Sequence, residues 1–145
     1  MSNHKRWRGN WLAVSPPGAV RFELPRSGRS RRALLTTVCD LPAGTPIVVS
    51  ASAPGAAGRC RTFAAGAGID LERQYLAFPG ATAPAYLVED APDSIRLFLQ
   101  TILAVPPRSP WSAPIGACLG LLRRLNRWRL LRRIAPGRVA VGRRR

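Results

Sequence analysis

The sequence predicts an α/β fold: a small, at least partly parallel sheet with helices packed on it, a C-terminal helical pair and a closing strand. Three observations predict it. Strand-like and helix-like periods alternate from residue 19 to 78, the pattern of an α/β layer. The uncharged, β-branched run "TPIVVSA" (45–51) suits a buried central strand. "GRVAVG" (137–142) follows an arginine-rich helical stretch as a last strand. With 145 residues the chain fits one domain, a size that buries about 68–70% of the surface of its unfolded chain. The organisation expected is a basic, largely disordered lead over 1–18, a single α/β domain over 19–142 and a basic tail over 143–145.

Each element has a local reason. "WLAVS" (11–15) and "AVRFELP" (19–25) flank a Ser-Pro-Pro-Gly turn and read as two short strands. In the second, Val20, Phe22 and Leu24 alternate with Arg21 and Glu23. "RSGRSRR" (26–32) reads as a basic loop. "RRALLTTVCDL" (31–41) reads as a helix with Leu34, Leu35, Val38 and Leu41 at helical spacing. After the central strand, Ala56, Cys60, Phe63, Ala64 and Ala67 share a helix face, and Gly68 suits a left-handed C-terminal cap. "IDLERQYLAF" (69–78) reads as a strand ending at Pro79-Gly80. A Pro/Ala-rich loop leads to a helix start in which Asp90 caps, Pro92 takes the first turn and Asp93 favours the positive end of the dipole. Ile95, Phe98, Leu99 and Ile102 form its apolar face, and a second helix is expected from about Ser112 to Ile134.

Charge is the unusual feature. The formal net charge is +16, carried by 23 basic residues against 7 acids. Residues 1–32 carry a net +7, residues 33–93 a net −3, and residues 94–145 hold twelve arginines and no acid. Two basic arms around a slightly acidic middle point to anionic partners rather than to a fold. One lysine among so many arginines, with Ala, Gly and Pro abundant, also reads as the coding bias of a GC-rich bacterial genome. The start lacks the apolar core of a secretory signal, and no uncharged stretch is long enough and free enough of Pro and Gly to span a bilayer, so a cytoplasmic, optionally membrane-associated protein is expected.

Few residues suggest chemistry. Cys39, Cys60 and Cys118 are single and widely spaced, so a zinc site is not expected, and small buried thiols are. Glu89, Asp90 and Asp93 form the one carboxylate cluster; an ion or an acid pair would use such a cluster, and a charged helix N-terminus explains it as well. Ser27, Ser30 and Arg31 of the basic loop could hold a phosphate at a helix start, as could any solvated loop of this composition. The lone histidine, His4, offers no Ser/His pairing.

The C-terminal helix is the strongest candidate for an anionic surface, through Arg123, Arg124, Arg127, Arg129, Arg132 and Arg133. At 100° per residue Cys118, Leu121, Leu122, Leu125 and Trp128 gather on one face, with Arg123 and Arg127 opposite. Arg129 and Arg132 project back into the apolar sector, while Leu119, Leu130 and Ile134 fall on the polar side. Such mixing favours a helix covering a sheet and leading into the last strand, with snorkelling arginines, and makes membrane contact secondary.

Three phrases also occur in a familiar order. "LPAGTPIVVSAS" (41–52) resembles the loop and fifth strand of class I S-adenosylmethionine-dependent methyltransferases. "FAAGAGIDLERQYLAF" (63–78) resembles their next helix, Gly turn and sixth strand, and "GRVAVGRRR" (137–145) their terminal seventh strand. The resemblance implies a methyltransferase-like transferase with S-adenosylmethionine as cofactor. The Gly-rich turn and the strand-end acid that bind it in that family have no counterpart in residues 1–32, so a partial or degenerate member completed by a partner is implied and no cofactor residue is assigned. The alternative is a non-enzymatic basic adaptor on an anionic membrane surface. Nucleic acid ranks after membrane, because Trp7, Trp11, Trp111 and Trp128 are not spaced as a stacking platform. With so small a sheet, a protein partner or a homodimer is expected to cover an edge.

Overall fold

The computed structural model describes residues 13–52, 55–102, 112–124 and 128–145. Five strands form one mixed sheet: β1 (Val20–Glu23), β2 (Pro46–Ser52), β3 (Ile69–Phe78), β4 (Tyr86–Glu89) and β5 (Gly137–Arg144), in the order β1-β2-β5-β3-β4. β1 and β2 pair in parallel; β5 is antiparallel to both neighbours, and β4 to β3. β2 and β3 therefore run parallel with the last strand of the chain inserted between them. The two edge strands, β1 and β4, have four residues each, which limits the unpaired backbone they present.

The helices bounded within the described residues are α1 (Gly28–Cys39), α2 (Ala56–Gly66), α3 (Pro92–Leu97, continued by a π-helical turn over Phe98–Ile102), α4 (Ser112–Arg124) and α5 (Trp128–Ile134). The expected apolar stripes of the first two are present. Val38 is buried with Leu34, Leu35 and Leu41 packed against the core, and Ala56, Cys60, Phe63, Ala64 and Ala67 are all buried. Gly68 has the positive φ, +62°, that its place after α2 requires.

The side-chain alternation of β2, β3 and β5 sorts the core into two faces. One face carries two adjoining apolar clusters. Ile47, Val49, Ala51, Ile69 and Ala140 pack with α1 and α2. Leu76 and Val88 pack with Ile95, Phe98 and Leu99 and with Leu131 and Ala135 around α5. The opposite face gathers Val48, Tyr75, Ala77, Val139 and Val141 under Val14, Ala19, Ala81 and Leu87.

Several local expectations are corrected. Ala13 and Val14 are helical rather than extended, and Val14 packs on the Val48 face. The basic loop 28–32 is the first turn and more of α1, because Ser27 in extended conformation opens the helix three residues earlier. Tyr86–Glu89, expected in a loop, adds a strand to β3. The cap of α3 is Ala91, not Asp90, whose carboxylate is engaged elsewhere. Leu131 on α5 and Ala135 just after it are buried, because that helix packs on α3; the side chains of Leu122, Leu125 and Trp128, expected on the apolar face, lie outside the described residues. Arg143 and Arg144, read as tail, belong to β5; Arg143 Nε donates to Glu72 Oε1 at 2.8 Å and Arg145 Nε to Asp70 Oδ1 at 2.7 Å.

β3 bulges at Glu72, so that Leu71 faces Gly142 while Arg73 faces Val141. A Cβ at Gly142 would run into the carbonyl of Asp70, a close approach that only glycine allows. Gly142→Ala is expected to lower stability by about 1–3 kcal/mol through overpacking. Gly58→Ala, on α2 where a Cβ meets open space, is expected to raise it by about 0.4–1 kcal/mol. Urea unfolding of the two variants checks both signs.

Candidate functional site

On the helical face of the sheet, the two apolar clusters meet at a seam occupied by Arg138. Its place on β5, opposite Leu76 of β3, sets it between α2 and α5. The side chain is 4% exposed, and an arginine so buried needs a carboxylate. Asp90, 7% exposed, supplies it from the turn between β4 and α3: Arg138 Nη1 donates to Asp90 Oδ2 at 2.7 Å. Arg138 Nη2 donates to the carbonyl of Arg132 near the end of α5. The Asp90 N–H donates to the Gln74 carbonyl at 2.7 Å, which fixes the turn on β3. Arg132 Nε lies 2.7 Å from the other carboxylate oxygen, Oδ1, as an ion pair too misaligned to count as a hydrogen bond.

Above this pair opens a cleft of about 550 Å³. Gln74, Asp90 and Arg138 form its floor. One wall is the start of α2, with Gly55, Ala56, Ala57 and Arg61; the other is α5 and its end, with Arg129, Arg132, Arg133 and Ala135. Gly55, at φ +74°, turns the chain into α2 and offers no capping side chain, and no acid occupies the first turn, so the positive end of the helix dipole lies at the cleft wall. Among the described residues that line it, five arginines stand against one carboxylate, an excess of four positive charges.

The candidates taken from the sequence separate in space. Arg129, Arg132 and Arg133 come together at the cleft. Arg124 is exposed at the end of α4 and does not line it. Arg127 and the side chain of Arg123 lie outside the described residues. The three acids diverge: Asp90 points inward, Glu89 is exposed on β4, and Asp93 is fully open on α3 with Arg96 at 3.8 Å. Among the described residues no three His, Cys, Asp or Glu side chains come together as a metal site. Arg29, Arg31 and Arg32 line a second hollow between α1 and α2, floored by Leu35 and Phe63. Cys39 and Cys118 are exposed, against expectation, because α1 and α4 turn those positions outward. Cys60 is buried, and desolvation pushes its thiol up to about 11, so it stays protonated and is a poor nucleophile.

Arg138, Arg61 and the start of α2 were not singled out from the sequence. The available signal was an arginine inside "GRVAVG", an otherwise apolar strand, in a chain with only 7 acids to pair it. No family model, curated protein or solved structure matches the chain.

Breaking the buried pair leaves a charge without its partner. Arg138→Met is expected to destabilise the protein by about 3–5 kcal/mol, with much of the loss recovered when Asp90→Leu is added. Arg132→Ala, whose side chain is 48% exposed, should cost only about 0–1 kcal/mol. Denaturant midpoints of the three variants test this ranking.

Proposed function

We propose that this protein binds a small phosphate-bearing polyanion in the cleft between α2 and α5. The observation that carries this reading is the convergence of five arginines from three elements on one cavity with a single acid. Guanidinium forks match phosphate oxygens two at a time, which a scatter of surface charge does not achieve. The start of α2, with no acid in its first turn, adds the positive end of a helix dipole to the same wall. A volume of about 550 Å³ falls within the range of small-molecule sites. Asp90 has a supporting role: it neutralises Arg138 in the floor, while Arg61 and Arg133 from the two walls meet the ligand.

Isothermal titration with pyrophosphate and with inorganic phosphate at low salt tests the reading. Saturable binding is expected, weakened about tenfold, or roughly 1.4 kcal/mol, by Arg61→Ser combined with Arg133→Ser. Those two exposed side chains stand outside the buried pair, so the melting temperature should hold. Unchanged affinity in that variant would overturn the assignment.

A second reading is a partial, methyltransferase-like protein. What supports it is that the three phrases resembling that family lie on neighbouring strands, β2, β5 and β3. S-adenosylmethionine should then bind the chain alone or together with products of neighbouring genes; absence of heat in both titrations would end the enzyme version.

A further inference from the structure

We infer that the outer surface of α4 and α5 docks on an anionic lipid bilayer, with the helices lying in the plane of its interface. The first eleven residues of α4, Ser112–Leu122, carry no charge. Ala113, Pro114, Ala117, Cys118 and Leu121 of this helix are nevertheless exposed, Leu121 by 57%. The described positions of α4 thus present an uncharged stripe to the outside, with Leu121 at its end.

α5 repeats the pattern in separate sectors. At about 100° per residue, Leu131 and Ala135 point to the core and Arg129, Arg132 and Arg133 to the cleft side. Leu130 and Ile134, four residues apart on one stripe, form a third sector that is 40% and 56% exposed. Arg124, at the end of α4, is exposed as well, and Arg129 and Arg133 are exposed and adjoin Leu130 and Ile134 in sequence.

Charge identifies the occupant. Residues 94–145 contain twelve arginines and no acid, so a second copy of this chain would bring like charge against like charge. Exposed leucine and isoleucine suit hydrocarbon, whereas a nucleic-acid face would offer aromatic stacking partners. Among the described residues no helix is long and apolar enough to cross a membrane, and α4, with 13 residues, is too short to do so. Lying on the surface, with aliphatic side chains inserted and arginines at the headgroups, satisfies both features.

Flotation with phosphatidylcholine vesicles, with and without phosphatidylglycerol, tests the inference on the full chain. Partitioning onto the anionic vesicles is expected to exceed that onto neutral ones by about tenfold or more. Leu121→Ser, Leu130→Ser and Ile134→Ser together should lower it by about tenfold, and Leu121→Ser alone by about threefold should the triple variant melt early. Equal partitioning on both vesicles, none on either, or undiminished partitioning of these variants would overturn it. Phosphate titration of the same variants should be unchanged, since none of the three residues lines the cleft, so either reading can fail without the other.

Discussion

A buried guanidinium in the middle of the sheet is the constraint on which the rest of the structure depends. Arg138 enters the interior on β5 between two apolar clusters, and Asp90 is the carboxylate that makes its burial tolerable. The pair joins three parts of the chain: the last strand, the turn between β4 and α3, and the end of α5 through the Arg132 carbonyl. Its worth lies in specificity more than in net stability. A one-residue slip of β5 would turn Arg138 to the opposite face, toward Val48, Tyr75 and Ala77 and away from Asp90. The register of the central strand is thereby tied to one ion pair.

The same pair creates the cleft. Where two apolar clusters meet over a polar floor, the helices above cannot close over the sheet, and α2 and α5 stand apart as walls. Asp90 balances Arg138, so Arg61 and Arg133 bring charge to the cavity beyond that pair. The fold thus separates a structural arginine from cleft-lining ones, although the sequence draws no such line between them.

That separation extends to the whole C-terminal arm. Arg138, Arg143 and Arg145 are engaged with Asp90, Glu72 and Asp70, and Arg144 with the Gly68 carbonyl. Arg129, Arg132 and Arg133 turn to the cleft. The high charge density of residues 94–145 is therefore divided between sheet, cavity and open surface. α5 achieves this division in seven residues, because a helix can show a core face, a cationic face and an aliphatic face at once.

Wherever one period ran over a continuous stretch, the sequence determined the outcome by itself. The buried run at 46–52, the stripe from Ala56 to Ala67, the strand at 69–78, the closing strand and the α/β class follow from local alternation and composition. Tertiary structure decided what depends on partners distant in the chain. It placed β5 inside the sheet, recruited Tyr86–Glu89 as an edge strand, and drew Asp90 away from a helix cap to Arg138, 48 residues later. It also chose which face of α5 is buried, since Leu131 and Leu130 are equally apolar in sequence and only packing against α3 distinguishes them. Hydrophobic periods record a residue's immediate neighbours. Charge pairing and the assembly of a cavity require positions that meet only when the sheet forms.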